Sequence, residues 1–414
     1  MARIDAFLKL GTQQGCSDVH LAVGVPPMLR MHGDLLPIKF RDLRASELEG
    51  YIAEILTRSQ TELFNAGNDL DFSYVAAGGG RFRVNVYRKD TGVGATFRSI
   101  PSDVPQLEKL ALPAIVTKLC DFHQGMILVT GSTGTGKSTT LAAMIDHLNT
   151  TRKLNIVSLE DPIEFVHRSK LSQVIQRELH THIPSFAEGV RAAMREDPDV
   201  ILVGELRDAE TISMAMTAAE TGHLVLGTLH TTGAVKTIDR IIDALPVEER
   251  DQTKSFLAQS LLAVITQVLV KTTDARGRRA ICEVMVMTKA IAKLIQNDQT
   301  HQIPSQLQTG RDLGMQLLDQ ALLAAITARE IDPDDAYGYA SDKRLFQKYV
   351  TDTSMLPKLD GAAGPSAAAA SAAASAASAA SAASASAAGS ANGGAASGAA
   401  GAGSPAAAAA RSSA

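Results

Sequence analysis

Residues 126–139 read MILVTGSTGTGKST, an apolar run followed directly by a glycine-rich loop. The loop fits the phosphate-binding pattern G-x-x-x-x-G-K-[ST]. Beyond it, apolar side chains recur at i, i+3, i+4 and i+7, at Leu141, Met144, Ile145 and Leu148. This spacing predicts an amphipathic helix. A strand, a glycine loop and a helix in that order predict a nucleotide-binding α/β domain built around this segment.

The glycine-rich loop has the chemistry needed to hold the phosphates of ATP. Glycines let the backbone curl tightly, so that successive N–H groups and the helix N-terminus point at phosphate oxygens. Lys137 would place its ammonium between the β- and γ-phosphates, and the Ser138 hydroxyl would join the shell of a Mg²⁺ ion. We therefore expect ATP and Mg²⁺ at Gly131, Ser132, Thr133, Gly134, Thr135, Gly136, Lys137, Ser138 and Thr139.

Three more apolar runs follow the P-loop, and helical segments separate them. They are NIVSLE (155–160), VILVGEL (200–206) and HLVLGTLH (223–230). Apolar runs without alternation, separated by helices, predict a parallel sheet covered on both faces. Residues 247–345 are predicted to be mostly helical, as in FLAQSLLAVITQVLV (256–270) and GMQLLDQALLAAITA (314–328).

The residue patterns before and after this region are different. Residues 1–98 predict a small α+β domain, with strands in SDVHLAVG (17–24) and RFRVNVYRK (81–89) and one helix over SELEGYIAEILTRSQTELF (46–64). The proline-containing residues 99–117 predict a linker that leads into an ATPase domain over 118–345. Residues 346–414 end in nearly pure Ala, Ser and Gly, which cannot bury enough apolar surface to fold, so we expect a disordered tail.

The bulk composition narrows the class of protein. The 414 residues carry 40 basic and 44 acidic side chains, so no overall charge draws the chain to nucleic acid or to anionic lipid. No apolar run has the length and character of a membrane span, and the first residues contain no signal-peptide core. The three cysteines are far apart, which excludes a CxxC zinc pair and a disulfide framework. We expect a soluble, cytoplasmic protein.

Acidic residues gather where a nucleotide-hydrolysing site needs them. In many P-loop ATPases one strand ends in two acids, one on the metal side and one that activates water. The corresponding strand PDVILVGELRD (198–208) ends in Gly204-Glu205, so the first acid is missing. A carboxylate bound to Mg²⁺ through water is a poor base, so the base must come from the acidic box LEDPIEF (159–165). The residues leave Glu160 and Glu164 as alternatives.

Other polar residues are weaker candidates. His230 ends the run 223–230 and can hydrogen-bond a γ-phosphate, or serve only as a capping or core histidine. The pair His180 and His182 lacks a third ligand nearby, which favours a loop over a metal site. Several arginines are either solvated side chains or fingers that reach a neighbouring subunit's nucleotide: Arg81, Arg83, Arg88, Arg98, Arg195 and Arg207.

Four motifs in order carry a family resemblance over roughly residues 1–345. GSTGTGKST, SLEDPIEFVH, REDPDVILVGELRDAET and TGHLVLGTLHTTGAVKTIDRIID together resemble the secretion-type hexameric ATPases, and within them the type IV pilus retraction ATPases. The four-cysteine zinc insertion common in assembly and secretion ATPases is absent, and the first domain begins almost at Met1. One departure is AIAKLIQN (290–297), where retraction motors usually read close to A-I-R-N-L-I-R-E. It leaves an accessory retraction ATPase as an alternative.

The resemblance implies a PAS-like N-terminal α+β domain followed by a RecA-like P-loop ATPase domain with a helical C-terminal part. It implies a homohexamer, or a ring mixed with a paralogue, with nucleotide held between neighbouring subunits. In its pattern Glu164 is the water-activating base, Glu205 stands on the metal side and His230 lies near the γ-phosphate. The partner would be the inner-membrane pilus platform protein, reached from the cytoplasmic face by peripheral association alone.

Three rival functions remain after the resemblance. A pilus assembly or secretion ATPase shares the same motifs. A nucleic-acid translocase also uses RecA-like rings, although the neutral-to-acidic charge and the few aromatic residues argue against it, and we expect no nucleic-acid partner. A scaffold that binds nucleotide without hydrolysis is disfavoured by the intact set of Lys137, Ser138, Glu164 and Glu205.

Overall fold

The apolar run before the glycine loop becomes an interior strand in the computed structural model of the chain. The structure describes residues 2–31, 34–78, 80–100, 103–274 and 277–356, and those up to Met355 belong to one compact unit. Nearly all of the predicted tail lies outside the described residues. The packed chain extends past the predicted boundary at residue 345, because Phe346 is completely buried.

Within the first hundred residues, segments in which apolar and polar residues alternate form an antiparallel sheet, here called the N-terminal sheet. Its strand order is β3-β2-β1-β6-β5-β4. The strands are β1 (Asp18–Ala22), β2 (Met28–Met31), β3 (Asp34–Pro37), β4 (Leu70–Ala76), β5 (Gly80–Lys89) and β6 (Gly92–Ile100). Period-two alternation buries Phe82, Val84 and Val86 of β5, and the Phe82 ring meets the Phe97 ring edge-on. This is the α+β architecture that the sequence predicts.

The helices of this region differ from the prediction in one place. They are α1 (Asp5–Gln14), α2 (Ala45–Ala53) and α3 (Arg58–Asn65). The single helix predicted over 46–64 is wrong, because it breaks into α2 and α3 around Thr57. The Thr57 hydroxyl accepts from the Gln60 N–H and the Gln60 side chain accepts from the Thr57 N–H. This capping box starts a new helix where the apolar spacing alone suggested continuity.

The second sheet contains the P-loop strand and has the order β13-β12-β7-β11-β10-β8-β9. Its strands are β7 (Gly125–Thr130), β8 (Asn155–Glu160), β9 (Gln173–Glu178), β10 (Val200–Val203), β11 (Leu224–Leu229), β12 (Leu261–Lys271) and β13 (Arg278–Val286). Neighbours pair in parallel except β12 with β13. The carboxyl ends of β7, β8, β10 and β11 therefore meet at one edge.

Both faces of this sheet are covered, as the unalternating apolar runs predict. Successive residues of β7 enter two different cores: Met126 and Leu128 pack on one face, Ile127 and Val129 on the other. The helices of this part of the chain, most of which pack on the sheet, are α4 (Ile115–Leu119), α5 (Lys137–Thr151), α6 (Phe186–Ala193), α7 (Ala209–Glu220), α8 (Ala234–Ala244), α9 (Arg250–Ser260), α10 (Lys289–Gln296), α11 (Ile303–Thr309), α12 (Leu318–Thr327) and α13 (Pro333–Tyr339). None of the described helices is both long and apolar enough to cross a membrane.

Two predictions about the later chain need correction. The segment 256–270 is not one helix: α9 ends at Ser260, and β12 begins at Leu261 and pairs with β7 and β13. Val264, Ile265 and Thr266 are β-branched and buried, and that combination suits an interior strand. The predicted linker 99–117 is also partly regular, since β6 runs to Ile100 and a 3-10 turn spans Leu107–Leu110.

Candidate active site

The P-loop is folded around its own lysine. The Lys137 ammonium donates to the Gly131 carbonyl at 2.9 Å and to the Ser132 carbonyl at 3.1 Å. Gly134 and Gly136 have φ of +80° and +88°, which side-chain-bearing residues rarely adopt. Burial lowers the pKa of Lys137, and the negative charges of Glu205 and Glu164 oppose that shift without cancelling it. The lysine thus lies inside the loop, facing two of the predicted acids.

A residue absent from the sequence prediction holds the P-loop in place. Buried Gln267 on β12 donates to the Thr135 carbonyl at 2.7 Å and accepts from the Thr140 hydroxyl at 2.8 Å. A Cβ at Gly131 would lie 2.4 Å from the Gln267 carbonyl oxygen, so glycine is needed there for close approach. Gln267 was missed because its strand was predicted as helix, which removed it from the neighbourhood of β7.

Glu205 is the centre of an ionic cluster at the carboxyl ends of β8, β10 and β11. Arg207 Nη2 lies 2.8 Å from one carboxylate oxygen and His230 Nε2 lies 3.3 Å from the other. Arg207 Nη1 also lies 3.7 Å from Asp161. Burial alone would raise the pKa of Glu205, but the hydrogen bonds and charges of Arg207 and His230 outweigh it and leave that pKa below its usual range. Glu205 is therefore held as a carboxylate.

The missing first acid has a packing explanation. The Gly204 N–H donates to the Leu159 carbonyl at 2.8 Å, which draws β10 against the end of β8. A Cβ at Gly204 would lie 3.0 Å from the Leu159 oxygen and 3.4 Å from the Glu160 Cα. No acidic side chain fits at position 204 unless the acidic box moves.

Glu160 and Glu164 occupy different environments within the acidic box. Glu160 accepts from the Ser158 hydroxyl at 2.7 Å, from Gln176 Nε2 at 2.9 Å and from the backbone N–H of Glu164. Burial raises the pKa of Glu160, and these hydrogen bonds only partly offset that shift. With its oxygens facing inward and engaged, Glu160 supports the loop.

Glu164 differs from Glu160 in its partners, and its charge acts on the P-loop lysine. It is half-buried, and among the described residues no side chain forms a hydrogen bond with its carboxylate. Its charge acts on two cations: it opposes the lowering of the Lys137 pKa by burial, and it adds to the hydrogen bond from Arg83 to Asp71 in raising the pKa of Arg83. Of the acids in the box, Glu164 is therefore the one whose charge acts on the P-loop lysine and whose carboxylate has no hydrogen-bonding side chain among the described residues.

The candidate arginines divide into two groups. Arg207 joins the Glu205 cluster, Arg81 pairs with Glu178 at 3.2 Å, and Arg83 pairs with Asp71 at 2.7 Å. The others lie in separate surroundings. Arg88 stacks over the Phe64 ring at 4.2 Å, Arg98 pairs with Asp18 at 2.9 Å, and exposed Arg195 lies just before the amino end of β10, away from the P-loop edge. Arg81 and Arg83 thus lie next to the acidic residues of their own chain, and a role in a neighbouring subunit stays a prediction.

The histidine pair His180 and His182 lies in a loop, as predicted. His182 Nδ1 accepts a hydrogen bond from the Glu178 N–H at 2.9 Å, so this nitrogen is engaged with the backbone of its own loop. Across the part of the chain that the structure describes, no three His, Cys, Asp or Glu side chains form a metal-binding group. All three cysteines are free and buried.

A cavity of about 620 Å³ opens beside the P-loop on the side of β12 and β13. Its lining includes Gly136 and Thr139 at the end of the loop, Leu269 of β12, and Arg278 and Arg279 of β13. It is continuous with the phosphate-binding loop. Its lining is partly apolar and carries both cationic and acidic side chains, Glu330 among the latter. A cavity of this size and mixed lining can take a flat, polar ring system with an attached sugar.

Residues 106–332 match the sequence profile of the family described as "Type II/IV secretion system protein". The chain is 47% identical to the type IV pilus retraction ATPase PilT of Pseudomonas aeruginosa over 333 residues, which are 80% of this chain and 96% of that protein. It is 49% identical to a twitching motility protein of Neisseria gonorrhoeae over 310 residues, which are 75% of this chain and 83% of that protein.

Two further comparisons concern a second type IV pilus ATPase and a solved structure. The type IV pilus ATPase PilU of Pseudomonas aeruginosa is 37% identical over 347 residues, which are 83% of this chain and 91% of that protein. The crystal structure of the pilus retraction motor PilT with bound ADP has a TM-score of 0.78 and 39% identity. That likeness covers 83% of this chain and 99% of the crystallised one.

Proposed function

The chain belongs to the type II/IV secretion system protein family, and on that premise we propose that it is an ATP-hydrolysing motor that drives type IV pilus retraction. The observation that carries the proposal is the meeting of Lys137, Glu164 and Glu205 at one edge of the sheet. Lys137 lies within the electrostatic reach of both carboxylates. A phosphate loop with an available carboxylate beside it supports hydrolysis rather than nucleotide binding alone.

The reaction assigns different tasks to the acids. A water oxygen bonds to the γ-phosphorus while the bond from that phosphorus to the β–γ bridging oxygen breaks, which gives ADP and phosphate. Glu164 takes the proton of the attacking water and returns it to the phosphate product. General-base help of this kind contributes roughly 10²- to 10⁴-fold in rate. Glu160 holds the loop from the inside, and Lys137 with the P-loop N–H groups stabilises the charge on the phosphates.

The donor set of the site fits a Mg²⁺ ion bound with the nucleotide. Mg²⁺ prefers hard oxygen ligands, keeps several waters and takes few ligands from the protein. The exposed Ser138 hydroxyl at the start of α5 and the Glu205 carboxylate are the residues that would hold it. The ion would supply positive charge to the phosphate oxygens. His230, beside Glu205, is placed to hydrogen-bond the γ-phosphate.

The cavity beside the P-loop is the proposed site of the adenosine. It begins at Gly136 and Thr139, the end of the loop from which a phosphate chain would lead outward. Leu269 offers an apolar surface for the base, and Arg278 offers donors to its ring nitrogens or to the ribose, while Arg279 is paired with Glu330 at 2.8 Å. This assignment places the base against β12, the same strand that holds the loop through Gln267.

The proposed working form is a homohexamer, or a ring shared with a paralogue, on the cytoplasmic face of the inner membrane. Its partner there is the pilus platform protein, reached by peripheral association. Trans-acting arginines are the residues that would make each site depend on a neighbour. The candidates at the site edge are Arg81, Arg83 and Arg207, whose partners within the chain are acids that a nucleotide would displace or share.

An accessory role in retraction is the second candidate. The motif AIAKLIQN differs from the usual retraction sequence in its polar residues, and the chain is also similar to PilU. The higher identity to PilT, 47% against 37%, favours the main motor. The two roles differ in what deletion of the gene does while a paralogue is present.

The function is tested by deleting the gene in its host and examining surface pili and twitching. A main retraction motor predicts excess pili and loss of twitching, restored by the wild-type gene and not by a gene carrying Lys137→Ala. Cells without surface pili would instead identify an assembly motor. Retained twitching that is lost only when a paralogue is also weakened would identify the accessory role.

A further inference from the structure

A buried carboxylate joins the N-terminal sheet to the acidic box. Glu178 ends β9, with a residue exposure of 4%. One of its oxygens, Oε2, accepts three hydrogen bonds: from Ser73 Oγ at 2.6 Å, from Arg81 Nη2 at 3.2 Å and from the Ile163 N–H at 3.2 Å. Neither the sequence motifs nor the proposed chemistry assigns this residue a role.

The three donors come from two parts of the molecule. Ser73 lies on β4 and Arg81 on β5, adjacent strands of the N-terminal sheet. Ile163 is the residue before Glu164 and is itself buried. A single oxygen atom therefore connects the N-terminal sheet to the backbone on which the proposed base is carried. A displacement of the N-terminal sheet therefore changes the hydrogen bonding of the same oxygen atom that holds the Ile163 N–H.

A second side chain of β9 holds the far end of the acidic box. Gln176 Nε2 donates to the Phe165 carbonyl at 2.8 Å, and Gln176 Oε1 accepts from the His167 N–H at 2.8 Å. Gln176 and Glu178 are two residues apart on one strand, so they share a face. Glu164 is thus held between two anchors. The Glu178 anchor includes the N-terminal sheet, and the Gln176 contacts stay within the ATPase sheet and its loop.

We propose that Glu178 is a positioning residue that places Glu164 for hydrolysis only while the N-terminal sheet is docked on its own chain. When that sheet moves away, Glu178 loses a guanidinium and a hydroxyl donor. A buried carboxylate left short of partners reorients, and its bond to the Ile163 N–H goes with it. Because a misplacement of about 1 Å costs on the order of 100-fold in rate, this link can make hydrolysis depend on the arrangement of the two sheets.

The inference rests on the proposed function, since it takes Glu164 as the base. Its test measures kcat for ATP and, separately, the ATP dissociation constant. Glu178→Gln is expected to lower kcat at least tenfold and Ser73→Ala at least threefold, with the dissociation constant within about twofold of wild type. Ser73→Thr keeps the hydroxyl and should restore kcat. Ser73 is the better probe than Arg81, because Arg81 is also a candidate trans-acting arginine.

The matched control is Glu196→Gln. Glu196 pairs with Arg177, the neighbour of Glu178, at 2.6 Å, yet contacts neither the N-terminal sheet nor the acidic box through that pair. Its kcat should change less than twofold. If Glu178→Gln fails to fold, the two Ser73 variants and the control decide the question.

Coupling is read from the double variant. If Ser73 acts through Glu178, the Ser73→Ala/Glu178→Gln protein loses no more kcat than Glu178→Gln alone. The proposal would be overturned if the double variant lost the product of the two single-variant losses in kcat. An unchanged kcat in Ser73→Ala, or a loss in Glu196→Gln equal to that in Glu178→Gln, would also overturn it. Failure of the proposed function looks different, because then the wild type shows no turnover or Glu164→Gln keeps it.

Discussion

At the residue scale, the acidic box separates two glutamates that its sequence presents as equivalents. Both belong to LEDPIEF, and the residues alone do not choose between them. Their surroundings do differ: Glu160 accepts from Ser158, Gln176 and the Glu164 N–H, whereas the Glu164 carboxylate acts electrostatically on Lys137. A carboxylate already committed to internal donors is a support, and one without such donors, whose charge acts on the P-loop lysine, is the better candidate for proton transfer.

The contact between Gln267 and the P-loop gives a prediction. Gln267→Leu keeps the volume but leaves the Thr135 carbonyl and the Thr140 hydroxyl without their partner. Unsatisfied buried polar groups cost about 1–3 kcal/mol each, so we expect weaker ATP binding and a lower melting temperature. Isothermal titration and thermal unfolding measure both. Gln296→Leu, on the exposed surface of α10, is the control and should leave ATP affinity unchanged. Equal effects of the two variants would refute the contact's importance.

His167 predicts a pH dependence of stability. Burial lowers the pKa of His167 from 6.5 to about 4. Between these values the unfolded chain binds a proton that the folded chain does not, so stability is lost as pH falls through this window. At pH 5 the loss is about 2 kcal/mol. Urea unfolding of wild type and His167→Gln at pH 7 and pH 5 isolates this contribution. The same pH dependence in both proteins would contradict it.

At the element scale, β12 decides the geometry of the site. It pairs with the P-loop strand, supplies Gln267 to the loop and forms one wall of the cavity beside it. The apolar run from Leu261 to Val270 fits a buried helix or a buried strand equally well by periodicity. Its parallel partner β7 lies far earlier in the chain, and pairing with β7 on one side and with the following strand β13 on the other selects the strand. That is why the sequence predicted helix here and missed Gln267.

Other elements were accessible to sequence reasoning for a physical reason. The β7, P-loop and α5 segment is local: glycines, a lysine and helical spacing lie within about two dozen residues. The strand-end positions of Glu160, Glu205 and His230 also follow from the apolar runs before them. Glu178 was missed because its contacts with Ser73 and Arg81 join segments that are distant in sequence. Gln176 was missed because its role lies in side-chain hydrogen bonds to the backbone of the acidic box, which no sequence pattern signals.

The close contact between β10 and the end of β8 leads to a prediction for a substitution at Gly204. Gly204→Ala places a methyl group 3.0 Å from the Leu159 carbonyl and 3.4 Å from the Glu160 Cα, so the acidic box must shift. Overpacking of this kind costs about 1–3 kcal/mol, and we expect a lower melting temperature together with a lower kcat. The control is Gly338→Ala in α13, where nothing lies within 4 Å and alanine should stabilise the helix by up to about 1 kcal/mol. An unchanged melting temperature and an unchanged kcat in Gly204→Ala would contradict this packing.

At the scale of the whole molecule, the N-terminal sheet contacts the strand that supports the acidic box. It carries Arg81 and Ser73 onto Glu178 and Arg83 toward the acidic box. A ring of such chains would change these contacts as subunits rotate. Hydrolysis and mechanical movement would then share the same side chains, as a motor requires.

The most direct measurement is ATP turnover and ATP affinity of the full-length protein carrying Glu164→Gln, Glu160→Gln or Lys137→Ala. We expect Glu164→Gln to lose at least about 100-fold in turnover while it still binds ATP, because the base is gone and the phosphate loop is intact. Lys137→Ala should lose both properties, and Glu160→Gln should retain far more turnover than Glu164→Gln. Normal turnover in Glu164→Gln, with loss in Glu160→Gln, would contradict the assignment of the base.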